Sequence, residues 1–329
     1  MDEREKYVGS LADEIIKGRR LVRGDDTAAL IGAELGVLAR AADRIRKELC
    51  GDDFDLCSII NGRSGKCPEN CRFCAQSAHN HTGAREYPFL DEETILKECR
   101  HNAEKGVRRF SIVTAGRALS GEEFEKALSA YRRMSAECGI KLCASHGLLT
   151  DEQLLRLRES GVTTYHCNIE TSRRYFPSIC TTHSFDDKTD CIKRAMKAGL
   201  NVCSGGIIGM GETWEDRADM AFTLAELGVR SVPINALTPI KGTPLESLEP
   251  LSGNDIIRTA ALFRFILPEA YIRFAAGRNR LEGSGAQAFL SGMNAAITGD
   301  MLTTSGNSIA EDTELLGRLG FTYSGEGRA

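Results

Sequence analysis

Over its 329 residues the sequence has no long uncharged run, no block of like charge and no low-complexity tract. The first absence leaves nothing of membrane-spanning length, and the opening "MDEREKYVGS" is charged where a secretory signal would be apolar. The second removes the basic arm of a nucleic-acid binder and the patch of a membrane-surface protein. The balance is close to even, 42 basic against 46 acidic residues, with a formal net charge of −4. The third absence leaves no Pro/Gly/Ser-rich linker and so no internal domain boundary. A soluble, cytoplasmic protein that binds neither nucleic acid nor membrane is expected, with enough chain to bury a sizeable core.

What the sequence has in quantity is cysteine, twelve in all. In a small secreted protein these would form disulfides, but this chain is long and shows no export signal, so reduced thiols that bind metal are the better reading. Cys50, Cys99, Cys138 and Cys191 fall in helical patterns and read as plain buried thiols.

A regularity runs along the chain. Helix-start signals recur at Asp91, Ser120, Thr150, Ser184, Thr213 and Ser252, at intervals of 29, 30, 34, 29 and 39 residues. Most pair a capping side chain with Glu, Gln or Asp three residues on, which satisfies free backbone donors. Before each lies a β-leaning run: "FDLCSII", "RRFSIVT", "IKLCAS", "TTYHCNI", "NVCSGGII" and "RSVPINA". "AYIRFAA" (270–276) and the weaker "NAAIT" (294–298) follow. Eight strand-plus-helix units predict an α/β fold, a TIM-type (β/α)8 barrel over residues 51–329. Residues 1–50 predict a helical extension outside it. Chemistry in such barrels sits at the carboxyl ends of the strands. Cys143, Ser145, Cys167, Asn168, Cys203, Asn235 and Arg273 all fall at or near strand ends and are expected to converge on one cavity.

Directly after the first strand comes "SGKCPENCRFCAQS" (64–77), with Cys67, Cys71 and Cys74 at spacing C-x3-C-x2-C. Structural zinc takes four protein ligands, so a zinc reading needs His79 or His81 as the fourth. An iron–sulfur cluster also takes thiolates from a closely spaced run. With three supplied, one iron of a four-iron cube stays open for a substrate or cofactor.

This spacing, with Phe73 between the second and third cysteines, resembles the radical S-adenosylmethionine (SAM) enzymes. The resemblance implies a 4Fe–4S cluster on Cys67, Cys71 and Cys74 whose open iron chelates the methionine part of SAM. An electron then cleaves SAM to a 5′-deoxyadenosyl radical that abstracts hydrogen from unactivated carbon. Within that superfamily the chain resembles the biotin synthase family from about residue 54 to 320. The segments that carry this are "GKCPENCRFCAQS", "YHCNIETS", "VCSGGIIGMGET", "VPINALTPIKGTPLE" and "IRFAAGRNRL".

That resemblance implies sulfur insertion into dethiobiotin, with an electron donor such as flavodoxin or ferredoxin and a homodimeric assembly. Asn168 and Glu170 match contacts to the ribose side of SAM. "GGIIGMGE" (205–212), with Ile207, resembles the adenine-side strand; it lacks the third glycine of a dinucleotide-binding loop. Asn235, with Asn168 and His166, matches the dethiobiotin site. The family takes its sulfur from a second iron–sulfur cluster, here of two-iron or four-iron type, whose usual ligands are three strand cysteines and an arginine. Cys143, Cys203 and Arg273 match three of those four, but the fourth position is Ser111. Serine is a poor substitute for a thiolate, which predicts that another thiol completes the set: Cys167 first, then Cys180. Cys57 has no assigned role. Two other readings compete: a sibling radical SAM enzyme without sulfur insertion, and a non-catalytic iron–sulfur or zinc protein.

Overall fold

The interval between helix starts becomes the architecture. The computed structural model describes residues 3–299 and 306–323. Residues 300–305 and 324–329 of the expected 51–329 span lie outside the described residues. The strands are β1 (Asp55–Arg63), β2 (Arg109–Thr114), β3 (Lys141–Ser145), β4 (Val162–His166), β5 (Asn201–Cys203), β6 (Gly206–Ile208), β7 (Ser231–Ala236), β8 (Tyr271–Phe274) and β9 (Ala295–Ile297). All pair in parallel, in the order β5-β4-β3-β2-β1-β9-β8-β7-β6, and a Cys203–Ser231 pairing between β5 and β7 shuts the ring. Segments β5 and β6 are the two halves of one stave, so nine segments make an eight-stave barrel.

The break between those halves has a steric cause. A Cβ on Gly205 would lie 1.9 Å from the Pro233 carbonyl oxygen, and one on Gly206 2.3 Å from that of Glu170. Only glycine lets three backbones approach this closely. The neighbouring strands still bond across the break: Ile169 N–H donates to Gly205 O (3.0 Å) and Ser204 N–H to Ser231 O (3.0 Å).

Helices α4 (Glu92–Glu104), α5 (Gly121–Glu137), α6 (Asp151–Glu159), α7 (Phe185–Lys197), α8 (Trp214–Glu226) and α9 (Gly253–Ile266) wrap the barrel. Their caps sit at the six expected residues. Thr150, Ser184 and Thr213 form full capping boxes, Asp91 and Ser252 accept from the third helical N–H, and Ser120 makes no side-chain bond. Each helix buries one stripe. On α5 it is Phe124, Ala127, Leu128, Tyr131 and Met134, at helical spacing, and fully burying such a large apolar side chain contributes about 1.5–3 kcal/mol. Helices α1 (Glu3–Ile16), α2 (Ala28–Ile31) and α3 (Leu35–Cys50) precede the barrel, and α3 packs on α9.

Strand alternation sorts every stave into two faces. On β2, Phe110 and Ile112 enter the outer core while Arg109, Ser111 and Val113 face the lumen. Strands β1, β3, β5, β7 and β8 likewise turn odd-numbered residues inward. Strand β4 turns even-numbered ones inward, Thr164 and His166.

Candidate active site

A cavity of about 380 Å³ opens at the carboxyl ends of the strands. Its mouth is lined by Phe73, Cys74, Asn168, Glu170, Ile207 and Asn235, and its floor by Cys57, Ser111, Cys143, Cys203 and Arg273. His166 and Ser145 also face it.

The three-cysteine loop is held over this mouth by its own backbone. Cys67 N–H donates to Gln76 O (3.1 Å), Ala78 N–H to Cys67 O (2.8 Å), and Asn80 Nδ2 to Cys74 O (2.8 Å). His81 N–H reaches Gly242 O (3.0 Å), which ties the loop to the far side of the barrel. Burial pushes the Cys74 thiol up to about 11 and raises Cys67 as well. Against that, the backbone amides of Glu69 and Gly116 reach Cys67, and those of Gln76 and Ser77 reach Cys74, each favouring the thiolate. Amides already aimed at sulfur are what a cluster-bearing loop needs, because hydrogen bonds to the sulfurs tune such clusters. The loop therefore fits a cluster held by thiolates.

The second loop cysteine, Cys71, has a neighbour not foreseen as such. Cys71 Sγ lies 3.7 Å from Cys180 Sγ, and Cys180 lies 3.3 Å from His183 Nδ1. Among the described residues, Cys71, Cys180 and His183 are the group whose ligand atoms all lie within 4.8 Å of one another, as a single ion would require. His79 caps the Pro68 carbonyl (3.0 Å) instead of joining the three cysteines.

On the floor, the wall charges decide the chemistry. Arg273 is fully buried; its Nη2 donates to Asp55 Oδ1 (2.5 Å) and its Nη1 to the carbonyls of Asp55 (2.9 Å) and Ala296 (3.0 Å). Arg109 Nε donates to the same carboxylate (2.9 Å to Oδ2). Burial alone would raise Asp55, but the two guanidinium groups outweigh it and hold the carboxyl below its ordinary value. Cys143 is drawn down to about 7, first by a hydrogen bond from Cys57 and then, against burial, by Arg109 and Arg273. Cys203 is lowered too: His166, Arg273 and Ser231 Oγ (3.3 Å) overcome its burial. Thiols poised to ionise beside two cations form a soft, anionic donor set, which suits iron.

One expectation fails here. Cys167 does not reach the cavity: on the stave that turns even residues inward it points outward, against Cys191 on α7, within the outer core. The thiol that joins Cys143 and Cys203 is Cys57, on β1. Its signal was present in "FDLCSII", where Phe54 and Leu56 belong to the outer core and so put Asp55, Cys57 and Ile59 inside. Asp55 and Arg109, charged residues at inward positions of strands, carried the same signal. Cys180 stands at the loop and does not line the cavity. Ser111 faces the lumen, level with Cys143 across β2 and β3.

At the mouth, Asn168 Oδ1 accepts from Gly205 N–H (3.0 Å) and its Nδ2 lies 3.4 Å from Glu170 Oε2. Glu170 takes a left-handed φ of +68°, and Lys188 Nζ lies 4.0 Å from its carboxylate. Asn235 Nδ2 donates to Gly206 O (3.1 Å), and its Oδ1 accepts from Ala276 N–H (3.2 Å). Each amide keeps a further N–H and lone pair for a ligand.

Comparisons with known proteins agree with this geometry. Residues 63–224 match the radical SAM superfamily model, and residues 233–322 match the model of the biotin and thiamin synthesis associated domain. Biotin synthase of Clostridium beijerinckii is 61% identical over 312 residues, covering 95% of this chain and 99% of that one. Biotin synthase of Alkaliphilus metalliredigens is 59% identical over 314 residues, with the same coverage. Among solved structures, methylornithine synthase aligns with TM-score 0.80 at 19% identity, covering 95% of this chain and 97% of that one. An FeFe-hydrogenase maturase aligns with TM-score 0.82 at 17% identity, covering 96% and 75%. The last two show the fold alone. Barrel, loop and family model together define a radical SAM enzyme. Within that class the chain belongs to the biotin synthase family, and its activity is radical insertion of sulfur.

Proposed function

We propose that the protein converts dethiobiotin to biotin, taking the sulfur from a second iron–sulfur group on the barrel floor. The observation that carries this is the floor itself: three thiols and Arg273 lie beneath a substrate-sized mouth, with two of the thiols drawn toward the thiolate form. A sibling enzyme that only transfers hydrogen has no use for such a set.

Cys67, Cys71 and Cys74 would hold the 4Fe–4S cluster, and Cys57, Cys143, Cys203 and Arg273 the second group. When bound, these supply the electron that cleaves SAM and the sulfur atom that is inserted. The chain's own residues position and shield. Glu170 and Asn168 stand where ribose hydroxyls can donate to a carboxylate and an amide oxygen. Asn235, Asn168 and His166 offer donors and acceptors to a cyclic urea. Phe73, Ile207, Leu237 and Ile240 give the mouth apolar walls that keep water from a carbon radical. Ser111, whose alkoxide is hard and difficult to form, lies beside the set without completing it. Flavodoxin or ferredoxin is the proposed electron donor, a homodimer the proposed assembly and the cytoplasm the proposed location. Among the described residues no helix is long and apolar enough to cross a membrane, and a reducing compartment suits thiol-held iron.

The test is iron and sulfide counting with Mössbauer spectra on anaerobically purified protein, before and after one turnover. Two iron environments are expected, of which the second loses sulfide as biotin forms. Cys57→Ala should remove the second environment and spare SAM cleavage, and Cys167→Ser should leave both. Biotin formation with one environment throughout would refute the assignment.

A further inference from the structure

The thiol floor has a second approach. At the amino-terminal ends of the strands, opposite the substrate mouth, lies another cavity of about 740 Å³, lined by Asp55, Arg108, Arg109, Lys141, Asn201 and Arg230 among others. Arg109, Thr164 and Ser231 line both cavities. The partition between them is thin. Its central member is Arg109, which reaches from Asp55 (2.9 Å) to Thr164 Oγ1 across a long 3.4 Å contact. Asp55 keeps Arg273 as a partner if Arg109 swings aside.

The charge of this cavity is one-sided. Arg108 pairs with Asp53 and Arg109 with Asp55. Lys141 and Arg230, both exposed at the rim, have no ion-pair partner among the described residues. Two positive charges without an ion-pair partner thus stand at a cavity that Arg109, Thr164 and Ser231 separate from the floor of Cys57, Cys143 and Cys203. A ferrous ion is repelled here, and a small soft anion is drawn in.

The geometry points to this amino-terminal cavity as the inlet through which hydrosulfide, HS⁻, reaches the floor, where it would give its proton to water and take, at the same oxidation level, the place of the sulfide that each turnover removes. The inference rests on the reading of the floor as the sulfur-bearing site. It follows from traffic: SAM and dethiobiotin fill the upper mouth, so a sulfur supply from below works without waiting for product to leave. Lys141 and Arg230 gather the anion, and Arg109 passes it through the partition toward iron held by the three thiols.

The experiment uses anaerobic protein carried through one round of turnover and then given ferrous iron and sodium sulfide. Recovery of the second iron environment is followed by Mössbauer and visible absorption spectra. In the double variant Lys141→Glu, Arg230→Glu, first-round biotin should equal wild type. Recovery should slow about tenfold at low salt, the lower end of what electrostatic steering supplies, and the gap should close as salt rises. In wild type, saturating SAM and dethiobiotin, without the electron donor, should leave recovery unchanged. Equal recovery in variant and wild type, or arrest by SAM with dethiobiotin, overturns the inlet while the floor assignment stands. Absence of a second iron environment in fresh wild type fails the floor assignment and the inlet with it.

Discussion

The imidazole of His146 makes the protein sensitive to acid in a way that can be worked out from its three contacts. The side chain is wholly buried behind β3. Thr114 Oγ1 lies 3.0 Å from Nδ1, Tyr131 OH lies 2.9 Å from Nε2, and the same hydroxyl reaches Cys143 O (3.1 Å). A phenol has one proton. Donated to the Cys143 carbonyl, it leaves the oxygen to accept from Nε2–H, while Nδ1 accepts from Thr114. The chain of bonds closes with a neutral ring, and a second ring proton would force Thr114 to turn its own proton to the Ser145 carbonyl across a long 3.5 Å contact. Burial, with a smaller push from Arg63, lowers His146 to about 3 from its ordinary 6.5. The folded value lies below the unfolded one, so between them the unfolded chain binds more protons. Stability is complete above about pH 6.5 and falls as the pH drops through it. At pH 5 the loss is about 2 kcal/mol, from 1.5 units at 1.36 kcal/mol each. Urea unfolding of cluster-free wild type and His146→Gln at pH 7.5 and 5 gives the difference. The variant should lose about 2 kcal/mol less than wild type over that interval, although less stable at pH 7.5. Equal losses in the two proteins would refute the reasoning.

Replacing any one of Cys67, Cys71 or Cys74 by Ala should abolish reductive cleavage of SAM, read as 5′-deoxyadenosine; a triple variant cleaving at wild-type rate would end the radical assignment. Asn235→Ala should weaken dethiobiotin binding by about 1–3 kcal/mol, the usual cost of leaving a buried polar group unpaired, measured by equilibrium binding with SAM present. Unchanged affinity with a lowered melting temperature would make Asn235 a cross-strand brace alone. Gly205→Ala should destabilise by more than 1 kcal/mol in thermal unfolding, because the added carbon falls 1.9 Å from the Pro233 carbonyl oxygen and backbone must move. A melting temperature equal to wild type would show that the stave has slack at its break.

The barrel was legible because its signals repeat. Thr150, Ser184 and Thr213 each announce a helix by a capping box, and the apolar runs before them have the length of strands. The interruption at Ser204 and Gly205 was not legible, since it follows from the nearness of Pro233 and Glu170, residues distant in sequence. A fourth capping box, at Ser308, lies beyond the last expected strand. The loop cluster was legible because its three ligands are local. The floor was only partly so. Cys143, Cys203 and Arg273 came through resemblance, whereas the choice between Cys57 and Cys167 depends on which face each stave turns inward. Cys167 sits one residue from two lumen residues, His166 and Asn168, and a shift of one residue reverses the face.

The two faces of each stave divide the work of the molecule as a mould divides from its casing. Helices α4 to α9 grip the outer row, such as Phe110, Ile112, Leu142 and Ala144, while the side chains of Ser111 and Cys143 line the cavity. The inner row can therefore be recast without disturbing the grip. That freedom is consistent with enzymes sharing 17% to 19% of their residues with this one and superposing at TM-scores of 0.80 and above. It also makes the serine at position 111 cheap in fold terms. A hydroxyl in place of a thiol alters what the lumen can hold and leaves the shell's packing as it was.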